Sequence, residues 1–229
     1  MRRFTRALKW AAAAAVVLGV ATTTQIEGAF AATSPNLISN PGAESGPGSS
    51  NGVVVHVPNW IEIAPSNFTA VKYGATGGFP TNSSPGPSNR GKNFFAGGPT
   101  SGPNGENSPT AVQRIPLKPY VSAIQAGTAK FKVQAWLGGV GSKSDSAFVE
   151  IDFKTGEKGF GSVTGSVDIG PVTAAQRHNK TGLILQSATG TVPKGTRSVL
   201  VQLGMIGSGD GETYVDGFAD NLSLVITTP

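Results

Sequence analysis

Apolar and polar residues alternate along the longest segments of this chain. In KFKVQAWLGG (130–139), Phe131, Val133 and Leu137 are separated by lysine, glutamine and tryptophan. The segments AFVEIDF (147–153), RSVLVQLGMI (197–206) and NLSLVI (221–226) show the same period. Because successive side chains of a strand point to opposite faces, a period of two predicts half-buried β-strands. Shorter strands are predicted in PNLISN (35–40), GVVVHV (52–57), NWIEIA (59–64), FTAVKY (68–73), KNFFAGG (92–98), AVQRI (111–115) and GLILQS (182–187).

Helical periodicity is nearly absent. The one predicted helical turn is VTAAQRHN (172–179), with Thr173 as its N-cap. The 32 glycines and 16 prolines fall mostly between the apolar segments, where they mark turns. Many short strands with frequent turns predict one all-β domain, an antiparallel β-sandwich or jelly roll. Residues 80–109 are rich in Gly, Pro, Ser and Asn, and they predict long loops around the strand KNFFAGG.

The N-terminal segment has the order of a secretory signal peptide. Four basic residues in MRRFTRALKW precede the apolar run AAAAAVVLGVA (11–21), and AFAA (29–32) supplies small residues for cleavage. This run is shorter than the roughly 20 residues that span a membrane, and no second run is longer. We therefore expect a signal peptide over 1–31 and a secreted bacterial domain over 32–229, without a membrane anchor.

Charge and cysteine content narrow the possible partners. Removal of residues 1–31 takes away four basic residues and one acidic residue, and the net charge falls from +5 to +2. No run of Lys and Arg remains in the sequence, so we predict no nucleic-acid partner. The chain has no cysteine. A secreted domain without disulfides must be held together by packing, by a metal ion or by both.

Acidic residues cluster before the last predicted strand. In YVDGFADNLSLVI (214–226), Asp216 and Asp220 directly precede alternating apolar residues, and Asp210 and Glu212 lie shortly before them. Acidic side chains are depleted in strands, which raises the question of their role. They either bind a metal ion or form a solvated strand entrance. The spacing is not that of an EF-hand loop.

Several segments of the chain resemble galactose-binding-like jelly rolls, a superfamily that includes carbohydrate-binding modules of bacterial glycoside hydrolases. NLISNPGAESG (36–46) is similar to the opening signature, and YVDGFADNLSLVI is similar to the closing one. Trp60 and GKNFFAGGP (91–99) match segments between them. The resemblance implies adjacent first and last strands, with Glu44 and Asp220 as ligands of a structural calcium ion. Asn40, Asn221 and Asp216 are further candidate ligands, since calcium takes roughly six to eight oxygens.

Aromatic residues are the candidates for sugar binding, and there are few of them. Trp136 lies on the polar face of its predicted strand with Lys132 and Gln134. It is either a platform for a sugar ring or a side chain packed under a loop. Tyr73 and Tyr120 border loops and are further candidates, whereas Trp60 is expected in the core.

Catalytic motifs are not evident. The sequence contains no Gly-X-Ser-X-Gly or His-Glu-X-X-His motif, and its two histidines, His56 and His178, lie far apart. Glu150 and Asp152 share a strand face with Lys154 and are expected to be solvated rather than catalytic. We therefore predict no catalytic residues and a calcium-stabilised protein that binds extracellular polysaccharide. The alternatives are a surface or matrix protein that contacts other proteins, and a small hydrolase or lyase.

Overall fold

A computed structural model describes residues 31–64, 66–100, 108–208 and 213–229. The predicted signal peptide lies outside the described residues except for Ala31, and so do Asp210 and Glu212. Within the described part of the chain, no helix is both long enough and apolar enough to cross a membrane.

Two antiparallel sheets contain the strands of the described chain. Sheet A consists of β1 (Ala32–Thr33), β3 (Thr69–Lys72), β4 (Asn93–Pro99), β6 (Lys130–Gly139), β9 (Gly182–Thr191) and β11 (Tyr214–Thr228). Sheet B consists of β2 (Ile61–Ile63), β5 (Thr110–Pro116), β7 (Ser146–Lys154), β8 (Val163–Ile169) and β10 (Ser198–Ile206). One α-helix, α1 (Val121–Ala126), follows a 3-10 turn at Lys118–Tyr120, and a second 3-10 turn lies at Glu157–Gly159.

The strand order is that of a jelly roll. Strand β4 pairs with β11, β5 with β10, β6 with β9, and β7 with β8. The chain from β4 to β11 is thus one long hairpin, with its tip between β7 and β8, rolled into the orders β4-β11-β6-β9 and β5-β10-β7-β8. The predicted sandwich or jelly roll is confirmed. Strand β1 pairs with β11, so the first and last strands are adjacent.

The core lies between the two sheets and follows the period of two. The predicted inward residues of β6, β7 and β10 are buried, among them Phe131, Ile151 and Val201. Burying such a side chain contributes roughly 1.5–3 kcal/mol to the folded state. Trp60 is buried too, and its ring meets Phe95 edge-on at 5.3 Å, as expected for a core residue.

Two predicted strands near the N-terminus are wrong. In PNLISN, Asn36 takes over part of the β11 ladder, because its Oδ1 accepts the Leu224 N–H (3.0 Å) and its Nδ2 donates to the Leu222 carbonyl (2.9 Å). The Asn36 side chain thus forms hydrogen bonds with β11 that the backbone of a paired strand would otherwise form. GVVVHV is irregular as well, and its Val55 N–H donates to the side chain of Thr69 in β3 (Oγ1, 2.9 Å) instead of to a backbone carbonyl.

Other boundaries also differ from prediction. The last strand begins at Tyr214 rather than at 221, so Asp216 and Asp220 lie within it. VTAAQRHN forms turns instead of a helix: Thr173 Oγ1 accepts the Gln176 N–H (3.3 Å), but His178 and Asn179 have left-handed φ values of 55°. Strand β8 and helix α1 were not predicted, because neither shows a clear apolar period.

Candidate metal and carbohydrate site

A long loop covers part of the outer face of sheet A. It leaves β3, crosses to β9, where the Pro85 carbonyl accepts the Leu183 N–H (2.9 Å), and returns to β4. Beneath it lies a second apolar group, here called the outer cluster, formed by Val71, Phe79, Phe94, Ala96, Leu183 and Phe218. The loop therefore buries a face of the sheet that would otherwise contact solvent.

Arg90 holds this loop in shape. Its guanidinium donates to three backbone carbonyls, those of Pro87 (2.8 Å), Thr81 (2.8 Å) and Ser84 (2.9 Å). The same guanidinium lies 5.0 Å from the centre of the Tyr73 ring. A cation at this distance from an aromatic face is attracted to it. Arg90 thus positions both the loop and the tyrosine.

Asp220 lies in β11 beneath this arrangement and is fully buried. Its Oδ2 accepts the Tyr73 hydroxyl (2.7 Å), and its Oδ1 accepts the Asn221 N–H (2.7 Å). No basic side chain among the described residues makes an ion pair with it. Burial raises the pKa of Asp220 to about 7; its two hydrogen bonds and Arg90 oppose that rise, and Glu44 adds to it.

Glu44 reaches the same place from the opposite end of the chain. Its loop is tied to β11 by the Leu222 N–H, which donates to the Pro41 carbonyl (2.9 Å). Glu44 Oε1 accepts the Asn93 N–H (2.8 Å), and the Asn93 amide donates to the Ala43 carbonyl (2.9 Å). These bonds hold the glutamate at the start of β4.

The side chains of Asp220, Asn221 and Glu44 all come close to Gly42. A Cβ atom added there would stand 3.0 Å from Asp220 Oδ1, 3.3 Å from Asn221 Oδ1 and 3.8 Å from Glu44 Cγ. Any larger residue would fill this space. Gly42 therefore leaves room for the Asp220 carboxylate and the Asn221 amide oxygen. The Glu44 carboxylate itself lies against Gly91, where an added Cβ atom would overlap it.

This arrangement fits a calcium ion in its chemistry. The carboxylates of Glu44 and Asp220 and the amide oxygen of Asn221 are donors of the kind that calcium prefers. Asn93, whose N–H binds Glu44, has a buried Oδ1 without a hydrogen-bond partner. This oxygen is a further candidate ligand. The described residues contain no group of three or more acidic, histidine or cysteine side chains arranged for a metal. A calcium ion at Glu44 and Asp220 would need amide or backbone oxygens as additional ligands.

The other two predicted ligands have different partners. Asn40 Oδ1 accepts the Ser45 N–H (2.9 Å), and its Nδ2 donates to the Pro58 carbonyl (2.9 Å). Asp216 forms an ion pair with Lys143 (2.6 Å) and lies four positions before Asp220, roughly 13 Å along a strand. The structure does not bring Asp216 to Asp220. As calcium ligands, Asn40 and Asp216 stay predictions.

A polar cleft of about 620 Å³ opens beside the acidic pair. Tyr73 and Glu44 both line it, so the structure brings a predicted sugar-binding residue and a predicted metal ligand into one place. Its other lining side chains are mostly amides and lysines: Lys72, Asn82, Lys92 and Asn93. Such groups bind hydroxyls and other polar atoms of a ligand.

The other aromatic candidates lie outside this cleft. Trp136 stands between Asp220 and the exposed Leu185 in sheet A, and it packs partly against the outer cluster. Its side chain points away from the core, as predicted, and it remains half-buried. Tyr120 precedes α1 and packs against the main core, apart from the other two. As sugar-binding residues, all three stay predictions.

Sequence reasoning missed Arg90 and Asn93. Arg90 is the single charged residue between residues 74 and 91, and this isolation in a loop of Gly, Pro, Ser and Asn is a usable signal. Asn93 carries no such signal, because an asparagine before a strand is ordinary.

Glu150 lies opposite Asp168 on sheet B, and Asp152 pairs with Lys154 (3.3 Å).

Comparisons with known proteins give similarities of fold. No protein-family model and no curated protein matches the sequence. A solved family 61 carbohydrate-binding module, TmCBM61 in complex with β-1,4-galactotriose, has 15% identity and a TM-score of 0.44, over 83% of this chain and 98% of that chain. The CBM22-2 xylan-binding domain from Paenibacillus barcinonensis Xyn10C has 14% identity and a TM-score of 0.40, over 76% and 94%.

A larger protein also contains a similar sandwich. The enzymatically active domain of tailspike protein 4 from bacteriophage CBA120 has 13% identity and a TM-score of 0.48. The similarity covers 82% of this chain but only 21% of the tailspike chain. At these values the fold assignment rests on the strand order described above.

Proposed function

We propose that this chain is a secreted, non-catalytic domain that binds carbohydrate and is stabilised by a calcium ion between Glu44 and Asp220. The observation that carries the proposal is that these two acidic residues, from opposite ends of the chain, come together at Gly42 beside a polar cleft lined by Tyr73. The resemblance of both terminal segments to galactose-binding-like jelly rolls supports the same function.

The chemistry of the cleft suits a sugar. Ligand sites hold roughly 300–1,000 Å³, and the cleft falls within this range. The amide of Asn82 and the ammonium groups of Lys72 and Lys92 can form hydrogen bonds with hydroxyls. Tyr73 adds the one aromatic side chain of the lining, although Arg90 already covers part of its ring.

The proposed calcium ion has a structural role. Bound at Glu44 and Asp220, it would offset the repulsion between two carboxylates, one of them fully buried. It would also join the loop that carries Glu44 to β11. In a chain without cysteine, this link would serve where a disulfide serves in other secreted domains.

Binding to neutral polysaccharides tests the carbohydrate part. Protein from residue 32 to residue 229, which contains every described strand, is run through gels that contain galactan, xylan or glucan. We expect retardation by at least one polymer, weakened by Asn82→Ala or Lys92→Ala in the cleft. Lys132→Ala, on an exposed part of β6, is the matched control. Equal migration on every polymer would remove the carbohydrate part and leave calcium to be tested separately.

A further inference from the structure

A groove runs along the outer side of β5, away from the cleft. It consists of two adjoining hollows of about 350 Å³ and 330 Å³, and Pro116 lines both. One end is lined by Asn59 and Ile61, and the other end by Lys118 and Arg197. Together the two hollows are here called the β5 groove, which shares no lining residue with the cleft.

An exposed aromatic ring stands beside the β5 groove. Phe160 is 61% exposed, the highest value among the large apolar side chains of the described residues. The guanidinium of Arg114, which lines the groove, lies 5.1 Å from the centre of its ring. A rigid apolar ring left in water has no role in the core, but it can pack against the apolar face of a sugar.

The turn that carries Phe160 is firmly held. The Ser198 hydroxyl donates to the Gly156 carbonyl (2.6 Å) and accepts the Gly159 N–H (2.8 Å). Ser198 itself is fully buried. Lys158 takes a left-handed φ of 56°, which completes the tight turn. The turn that carries the ring is therefore tied to β10.

The charge around the β5 groove is positive. Arg114, Lys118 and Arg197 line it, and Glu157 is the one acidic residue of its lining. Within the described part of the chain, none of these three cations forms an ion pair. Since residues 32–229 carry a net charge of only +2, three unpaired cations on one groove are a local concentration.

We propose that the β5 groove binds an acidic polysaccharide, in which carboxylate or sulfate groups alternate with apolar sugar faces. Arginine binds such planar or tetrahedral anions with two parallel hydrogen bonds. Phe160 would contact a ring, Asn59 would contact a hydroxyl, and the two adjoining hollows would accept successive sugars of a chain. A lipid surface fits less well, because the groove is concave. This site deepens the proposed function but uses different residues, so it can fail while the cleft holds.

Affinity gels with polygalacturonate, dextran sulfate and uncharged dextran test the groove. We expect at least one acidic polymer to retard the protein more strongly than dextran, a neutral glucan that the groove would not bind. The comparison between the two acidic polymers shows whether carboxylate or sulfate is preferred. Lys118→Gln with Arg197→Gln should weaken binding roughly tenfold to a hundredfold. Phe160→Ala, whose exposed side chain is not needed for folding, should weaken it roughly threefold to tenfold.

The control is an equal loss of charge elsewhere. Lys132→Gln with Lys180→Gln removes two exposed lysines outside the groove and should leave binding unchanged. The proposal is overturned if no acidic polymer is bound, or if the control weakens binding as much as the groove variants. It is also overturned if anionic lipid vesicles or single-stranded DNA bind more tightly with the same dependence on Phe160 and Arg197.

Discussion

Asp216 and Asp220 stand four residues apart in β11 but have opposite environments. Asp216 pairs with Lys143 at 2.6 Å, and its N–H donates to the buried Asp145 (2.7 Å). Asp220 is fully buried, accepts hydrogen bonds from Tyr73 and Asn221, and has Glu44 as a neighbouring charge. The protein therefore supplies a lysine as partner to Asp216, whereas Asp220 has no ion-pair partner among the described residues.

The balance of nearby charges differs between the two aspartates, so an external cation would stabilise one of them more than the other. Around Asp216, the described charges include two acids, Asp145 and Asp216, and two bases, Lys143 and Arg177, which balance. Around Asp220, two acids face Arg90, which is at longer range and already bound to loop carbonyls. A buried charge without a close partner shifts its pKa or acquires a partner. The predictions below test whether Asp220 does either.

The largest expected effect is a loss of stability with rising pH in the presence of a chelator. The folded-state pKa of Asp220, about 7, lies above the ordinary value of 3.8. Between these values the folded protein keeps a proton that the unfolded chain releases, so this group destabilises the fold progressively from pH 4 to pH 7. At ~1.4 kcal/mol per unit the loss is about 4 kcal/mol. Urea unfolding at several pH values measures it.

Asp220→Asn is the control for this prediction. Asparagine fits the site, because its oxygen can accept the Asn221 N–H and the Tyr73 hydroxyl can turn to accept from its amide. Other carboxylates contribute slopes of their own, so the informative quantity is the difference between wild type and variant. We expect the stability of the variant, relative to that of the wild type, to increase as the pH rises to 7. Parallel stability curves would mean that Asp220 has an ordinary pKa.

Calcium should reverse part of this loss. An ion at a hundredfold excess over its Kd stabilises the folded state by about 2.7 kcal/mol, a rise in Tm of roughly 5–10 °C for a domain of this size. The rise should be larger at pH 8 than at pH 5.5, because Asp220 must be ionised to bind the metal. Calorimetry with and without chelator measures it.

Variants locate the calcium effect. Glu44→Gln and Asp220→Asn should each abolish the rise in Tm, and Glu62→Gln, in β2 of sheet B, should preserve it. A rise that persists in all three would place the ion elsewhere. No rise in the wild type, with protein verified free of metal at the start, would leave Asp220 as a buried acid that titrates near neutrality.

Tyr73→Phe should have a smaller effect. It removes the 2.7 Å bond to Asp220 Oδ2, and hydrogen bonds to charged groups contribute roughly 1.5–3 kcal/mol. We expect a loss near 2 kcal/mol at pH 8 and a smaller loss at pH 5, where Asp220 is protonated. Urea unfolding at both pH values measures it. If Tyr73→Phe costs the same in wild type and in Asp220→Asn, the two side chains are not coupled.

Sequence patterns revealed the fold better than the site. Strands β6, β7 and β10 each bury one face, so burial itself imposes the period of two that the sequence shows. The meeting of Glu44 and Asp220 could not be derived from periodicity. It was predicted from a resemblance, and the structure brings the two residues together beside Gly42.

The structures formed by loops could not be predicted from the sequence. The loop that crosses sheet A has no apolar period, and its path depends on hydrogen bonds from Arg90 to carbonyls of its own backbone. The cations of the β5 groove come from positions 114, 118 and 197, so the sequence shows no run of basic residues that would predict this site. Phe160 lies between two glycines, and this sequence context does not indicate that its ring is exposed.

The smallest expected effect concerns Asp216. Lys143→Gln removes the 2.6 Å ion pair, but the lysine side chain is 40% exposed, so water and salt screen the interaction. We expect a loss of about 1 kcal/mol in urea unfolding at low salt, and less at high salt. Calcium should not restore it, because Asp216 lies too far along the strand to share an ion with Asp220. If calcium stabilised Lys143→Gln more than the wild type, Asp216 would bind the ion once its lysine is gone. The contrast between the two aspartates would then reflect only which cation is present, and not a difference in the sites that the fold builds.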